Sequence, residues 1–219
     1  MDRHRVCASI AEVGIIPSVR VSSKELALFA AETVNQGGIP IAEITMTVPG
    51  AIEVIAQLVR GDAAFIVGAG TVLDAETARR CLDAGACFLT SPGLVPEVVE
   101  FALKNEVAII PGSLTASEVI AAWKAGADFV KIFPCAPFGG EQYIKALKVP
   151  LPQVPLIASG GVNQLTAANF IFAGATALGI GSELIPREAL RLRQENWIQE
   201  LARRYLGIVR DARAQMPPA

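Results

Sequence analysis

Short apolar runs alternate with amphipathic stretches along the whole chain, and this beat limits the possible folds more than any other feature. The runs lie at 14–19, 40–46, 64–68, 87–90, 107–110, 129–133, 155–158 and 177–180. Each is continuously apolar instead of alternating, the pattern of parallel strands covered on the outside by helices. The intervening stretch 24–36 places Leu26, Phe29, Ala30 and Val34 on one helical face. Ser22 or Ser23, Asp74 and Thr115 mark helix starts, and Thr115 with Glu118 spells a capping box. Gly37-Gly38, Gly85, Gly126 and Gly174 mark helix ends. Ala-Gly-Ala recurs at 84–86, 125–127 and 173–175, giving the same helix-to-strand join three times.

Eight such units in 219 residues predict an α/β fold, a compact (β/α)8 TIM barrel with an extra N-terminal helix. A doubly wound open sheet is the alternative. It predicts fewer strands and a GxGxxG turn after the first, and that turn is absent. No linker, charge block or low-complexity stretch divides residues 1–219, so one domain is expected, with Met216-Pro217-Pro218-Ala219 as a disordered tail.

Composition narrows the function classes. The net charge of -2 provides no basic field for nucleic acid or an anionic membrane. No apolar run reaches the roughly 18 residues of a spanning helix. The opening Met1-Asp2-Arg3-His4-Arg5 leads into an amphipathic segment without the apolar centre of a signal peptide, so a cytoplasmic location is expected. Cys7, Cys81, Cys87 and Cys135 form no CxxC pair and have no neighbouring histidines, which argues against zinc and thioredoxin-like readings and for reduced, mostly buried thiols. His4 stands far from every other motif, so a catalytic histidine is not expected.

Two charges interrupt the apolar strands. Lys131 lies within Phe129-Val130-Lys131-Ile132-Phe133, and Glu43 within Ile41-Ala42-Glu43-Ile44. Burial disfavours the charged form of each, lowering a lysine's pKa and raising a carboxylate's. A neutral lysine can form a Schiff base with a ketone, and a carboxylate raised in this way suits acid–base work. The bland alternatives are an edge-strand lysine that snorkels to water and a structural ion pair, for which Lys131 and Glu43 could be each other's partner. In a (β/α)8 barrel the active site lies at the C-terminal ends of the strands. There the chain sets Arg20, Thr45, Thr71, Ser91-Pro92, Pro111-Gly112-Ser113, Ser159-Gly160-Gly161 and Gly181-Ser182. The glycines after strands seven and eight, with Ser182, suggest an anion site in which backbone N–H groups and the dipole of a following short helix meet a phosphate. Arg20 is either a partner for substrate carboxylate or phosphate, or an exposed arginine opening a helix.

Taken together, Gly38-Ile39-Pro40-Ile41-Ala42-Glu43-Ile44-Thr45, Gly68-Ala69-Gly70-Thr71-Val72, Ser91-Pro92-Gly93, Lys131-Ile132-Phe133-Pro134, Ser159-Gly160-Gly161-Val162-Asn163 and Gly181-Ser182 resemble the 2-keto-3-deoxy-6-phosphogluconate (KDPG) and 4-hydroxy-2-oxoglutarate aldolases over nearly the whole chain. The resemblance implies a trimeric class I pyruvate aldolase on a (β/α)8 barrel, acting on a small phosphorylated 2-oxo acid without a metal or other cofactor. It implies Lys131 as the Schiff-base lysine and Glu43 as the acid–base group. Thr71, Pro92 and Phe133 would line the pyruvate part of the site, and Gly160, Gly161 and Ser182 would bind phosphate. Some members carry an arginine four residues after the glutamate; here that position is Thr47, which leaves Arg20 as the cationic candidate for the carboxylate, with Thr71 as a hydroxyl donor. Ser159 keeps a hydroxyl where gluconate-type members tend to have threonine and galactonate-type members an apolar residue, a lean toward KDPG.

Overall fold

The computed structural model describes residues 2–216; Pro217, Pro218 and Ala219 of the expected disordered tail lie outside the described residues. A first helix, α1 (Arg3–Val13), is capped by Asp2, whose carboxylate accepts the Arg5 N–H at 2.8 Å. Strands and helices then alternate: β1 (Ile15–Val19), α2 (Lys24–Gln36), β2 (Ile41–Thr45), α3 (Ala51–Gly61), β3 (Ile66–Gly70), α4 (Ala75–Asp83), β4 (Phe88–Thr90), α5 (Pro96–Lys104), β5 (Ala108–Ile110) and β6 (Gly112–Ser113). The second half continues with α6 (Ala116–Lys124), β7 (Val130–Ile132), a 3₁₀ turn (Ala136–Phe138), α7 (Gly140–Lys148), β8 (Leu156–Ser159), α8 (Ala167–Phe172), β9 (Ala175–Ile180), α9 (Arg187–Arg191) and α10 (Glu195–Ala214).

All strand pairings are parallel, in the order β5-β4-β3-β2-β1-β9-β8-β7-β6. The two ends of this order, β5 and β6, are halves of one strand interrupted at Pro111, so the nine segments occupy eight positions. Proline has no N–H to give the ladder. Its carbonyl still accepts the Lys131 N–H at 2.9 Å, and Ile109 O accepts the Asp128 N–H at 3.1 Å, which closes the sheet into the expected TIM barrel.

The sequence signals act where they were read. Ser23, Asp74 and Thr115 cap α2, α4 and α6, and the Thr115–Glu118 capping box is complete. The first two Ala-Gly-Ala joins are Schellman ends: Gly85 and Gly126 adopt φ of +98° and +97°, and the following alanine N–H groups return to Cys81 O and Ala122 O. At the far end of the chain Arg213 donates to Ala11 O at 2.7 Å and Thr176 O at 2.8 Å, tying α10 to α1 and β9.

Two strand ends differ from expectation. β3 runs from Ile66 to Gly70, two residues beyond the predicted end, because Gly68 and Gly70 here create space inside the barrel and do not terminate the strand. A Cβ on Gly68 would lie 2.3 Å from the Phe88 ring, which fills that space. The fifth strand likewise continues past Pro111 as β6.

Candidate active site

The C-terminal ends of the strands gather the polar groups. Residues two apart on a strand share a face, so Glu43 and Thr45 on β2 share one face of that strand. β7 is bonded on both sides, to β6 and β8, so Lys131 is not on an edge strand. Its side chain is only 12% exposed, which rules out a lysine that snorkels to water. Lys131 Nζ lies 3.5 Å from Glu43 Oε2 and 5.5 Å from the centre of the Phe133 ring, which covers it at the mouth.

Glu43 is held from four other strands. Ser18 on β1 donates to Oε1 at 2.6 Å, Thr90 on β4 donates to Oε2 at 2.8 Å, Lys131 approaches from β7, and Gly70 on β3 leaves room for the carboxyl. The expected rise of its pKa is not what the structure produces. Burial alone would push the carboxyl up, but the Lys131 charge and the hydroxyls of Ser18 and Thr90 together outweigh burial and hold it below its ordinary value. Glu43 is therefore a stabilised carboxylate paired with a cation, a base and not a stored acid.

A second group surrounds Arg20, which is exposed at the end of β1. Its guanidinium donates to Thr47 Oγ1 at 2.9 Å and to Thr71 Oγ1 at 3.2 Å. Thr47 shares a 2.9 Å hydrogen bond with Thr45, which also donates to Val19 O at 3.1 Å. Thr71 holds φ at +60°, a strained value for a β-branched residue, right after β3. Thr47 thus orients Arg20, the cationic candidate for the carboxylate.

The remaining expected residues lie around the same mouth. Pro92 is exposed after β4, and its carbonyl crosses so close to Gly112 that a Cβ there would lie 2.2 Å away. Ser159 is buried at the end of β8. Gly160 and Gly161 follow with φ of +86° and +93°, and Ser182 is exposed beyond β9. The expected short helix does not begin at either glycine turn. After β9 only a single turn, closed by Ile185 N–H to Gly181 O, encloses Ser182, and α8 starts only at Ala167. Backbone N–H groups, not a helix dipole, are what these loops offer an anion.

Ser18 and Thr90 were not among the expected site residues. The signal that could have found them is the register: Ser18 is the β1 partner of Glu43, and Thr90 lies two residues after Phe88, the ring that fills the space over β3. Cys135, which follows the Lys131 strand, points elsewhere; it is buried, and its thiol lies 3.6 Å from Gly140 O.

Known proteins resemble this chain over most of its length. Residues 6–201 match the family model "Aldolase: KDPG and KHG aldolase". A 2-dehydro-3-deoxy-phosphogluconate aldolase of Treponema pallidum is 32% identical over 92% of this chain and 96% of its own. A 2-dehydro-3-deoxy-6-phosphogalactonate aldolase of Escherichia coli is 36% identical over 78% of this chain and 83% of its own. The crystal structure of a Legionella pneumophila KDPG aldolase, with pyruvate captured as a covalent carbinolamine, superposes with a TM-score of 0.82 at 31% identity over 90% of this chain and 96% of that one. An enclosed lysine–glutamate pair at the mouth of a parallel barrel and matches of this extent lead to one assignment: the chain is an aldolase, a carbon–carbon lyase, and belongs to the KDPG and KHG aldolase family.

Proposed function

We propose that this protein is a class I pyruvate aldolase that cleaves 2-dehydro-3-deoxy-6-phosphogluconate to pyruvate and glyceraldehyde 3-phosphate. 4-Hydroxy-2-oxoglutarate, which yields pyruvate and glyoxylate, is a second substrate. The observation that carries this reading is the Lys131–Glu43 contact of 3.5 Å, nearly closed to solvent yet at the barrel mouth. The attacking species is the free amine, so Lys131 first gives up its proton, and Glu43 is placed to receive it. The amine adds to the C2 ketone, and Glu43 returns its proton to the C2 hydroxyl, which leaves as water; an iminium ion remains and Glu43 is a carboxylate again.

Glu43, directly or through a water, then removes the proton of the C4 hydroxyl. The C3–C4 bond breaks, its electron pair moves into the enamine, and the aldehyde departs. Protonation of the enamine at C3 and hydrolysis of the iminium release pyruvate and restore Lys131. The iminium is the electron sink of the cleavage. Oxaloacetate has the same 2-oxo acid head and would lose carbon dioxide by the same route.

Arg20, with Thr45, Thr47 and Thr71 around it, binds the carboxylate; Pro92 and Phe133 enclose the pyruvate moiety. Ser159, Gly160, Gly161 and Ser182 bind the phosphate end. The 36% identity to a phosphogalactonate aldolase supports the C4 epimer as the competing substrate, and Ser159 favours the gluconate form. By family likeness the working unit is a homotrimer in the cytoplasm; among the described residues no helix is long and apolar enough to cross a membrane.

Borohydride reduction in the presence of pyruvate tests the covalent step. Mass spectrometry is expected to find the adduct on Lys131 and none in Lys131→Ala; undiminished trapping in that variant would sink the assignment. Pyruvate release measured with KDPG, its C4 epimer, 4-hydroxy-2-oxoglutarate and oxaloacetate ranks the substrates. A phosphosugar isomerase, or a barrel that only binds a phosphorylated metabolite, would release none.

A further inference from the structure

Two hydroxyls converge on Glu43, one on each oxygen: Ser18 on Oε1 at 2.6 Å and Thr90 on Oε2 at 2.8 Å. They come from separate strands, β1 and β4, and Thr90 is 1% exposed. A hydroxyl inside a strand can satisfy itself on a nearby backbone carbonyl, as Thr45 does on Val19 and Ser113 on Gly112. Ser18 and Thr90 instead direct their protons to one carboxylate. Gly70 closes the remaining side, since a Cβ there would overlap Oε1.

We infer that Ser18 and Thr90 are positioning residues of the aldolase reaction, clamping Glu43 so that Oε2 stays turned to Lys131 and the group serves as the base. The inference rests on the reading of Glu43 as proton carrier given above. Its physical content is specific. Donors to a carboxylate favour its charged form, and here they act with Lys131 against burial. Of the strands around Glu43, β7 contributes the Lys131 charge, while β1, β3 and β4 contribute Ser18, Gly70 and Thr90. Arg20, beyond β1, is engaged with Thr47 and Thr71. Losing either hydroxyl therefore makes Glu43 take up its proton at higher pH and leaves the carboxylate freer to turn. A merely structural hydroxyl would change stability without changing that pH.

The test is the pH profile of kcat/KM for pyruvate release from KDPG, which reports the free enzyme's essential groups. Ser18→Ala and Thr90→Val are each expected to move the acid limb up by about one pH unit, and the double variant further. KM on the plateau stays near that of the wild type, and Ser18→Thr and Thr90→Ser return the limb toward its original place. Ser113→Ala, which removes a buried hydroxyl that does not touch Glu43, leaves the limb unmoved. An unmoved limb in the double variant, or an equal shift in Ser113→Ala, overturns the clamp. If Thr90→Val does not fold, Ser18→Ala decides alone. Borohydride trapping of the wild type runs alongside. Absence of both adduct and turnover there refutes the aldolase mechanism itself, whereas an adduct on Lys131 with an unmoved limb refutes only the clamp.

Discussion

Gly70 and Glu43 compete for one volume: a Cβ on Gly70 would lie 2.3 Å from Oε1 of Glu43 and 2.5 Å from its carboxyl carbon. Gly70 is paired in register with Thr45, one pleat beyond the pair Glu43 and Gly68. Its φ is not among the positive values, so alanine meets no backbone obstacle there and the conflict is with the carboxylate alone. Gly70→Ala should therefore displace Glu43 and slow pyruvate release toward the level of Glu43→Gln, roughly 10²–10⁴ below wild type, the range for a positioned acid–base group. Steady-state rates of both variants check this. A wild-type rate in Gly70→Ala would mean that the carboxylate can work from another position.

Arg20 makes a different prediction because it is exposed and holds two threonine hydroxyls instead of an acid. Removing the charge with Arg20→Met should weaken binding of the 2-oxo acid while the lysine–glutamate pair stays intact. A hydrogen bond to a charged group contributes about 1.5–3 kcal/mol, so KM should rise roughly 10–100-fold with kcat falling much less. An unchanged KM would place the carboxylate elsewhere.

The β8 loop predicts selectivity between substrates. Gly161 has φ +93°, and a Cβ on it would lie 2.3 Å from the Ala136 Cβ. Alanine there is both strained in backbone and crowded, so the loop must shift away from the position that presents its N–H groups. Gly161→Ala should raise KM for the phosphorylated substrate about tenfold or more, while 4-hydroxy-2-oxoglutarate, which has no phosphate, changes little. Equal losses for the two substrates would take the phosphate away from this loop.

The barrel and its two central charges were legible in the sequence for the same physical reason. Strands buried on both faces read as apolar runs, and Lys131 and Glu43 stand out because little else polar is tolerated there. Ser18 and Thr90 did not stand out, since a hydroxyl in a strand costs little until its partner is known, and that partner is fixed by pairing across strands distant in sequence. The direction of the Glu43 shift is hidden from the sequence on the same ground. Burial can be read from the strand itself, but the three groups that outweigh it come from β1, β4 and β7. Gly68 and Gly70 looked like the end of a strand because glycine usually weakens one; the Phe88 ring and the Glu43 carboxyl that need their space appear only in three dimensions.

The thiols provide a stability prediction at high pH. Burial pushes Cys7, Cys81 and Cys135 from 9.0 up to about 12, with Asp128 adding to the effect at Cys7. The folded state thus keeps these protons more tightly than the unfolded chain does. Their contribution to stability is fully present below about 9, where both states hold the proton, and is lost as the pH climbs toward 12 and the unfolded thiols ionise first. Denaturation midpoints should stay level from neutral pH to about 9 and then fall, and the fall should be shallower in Cys81→Ala/Cys135→Ala, whatever that variant loses in absolute stability. Alkylation should agree, with Cys81 and Cys135 unreactive in the native protein at neutral pH and modified once it is denatured. An equal alkaline slope in the double variant would show that these thiols do not control it.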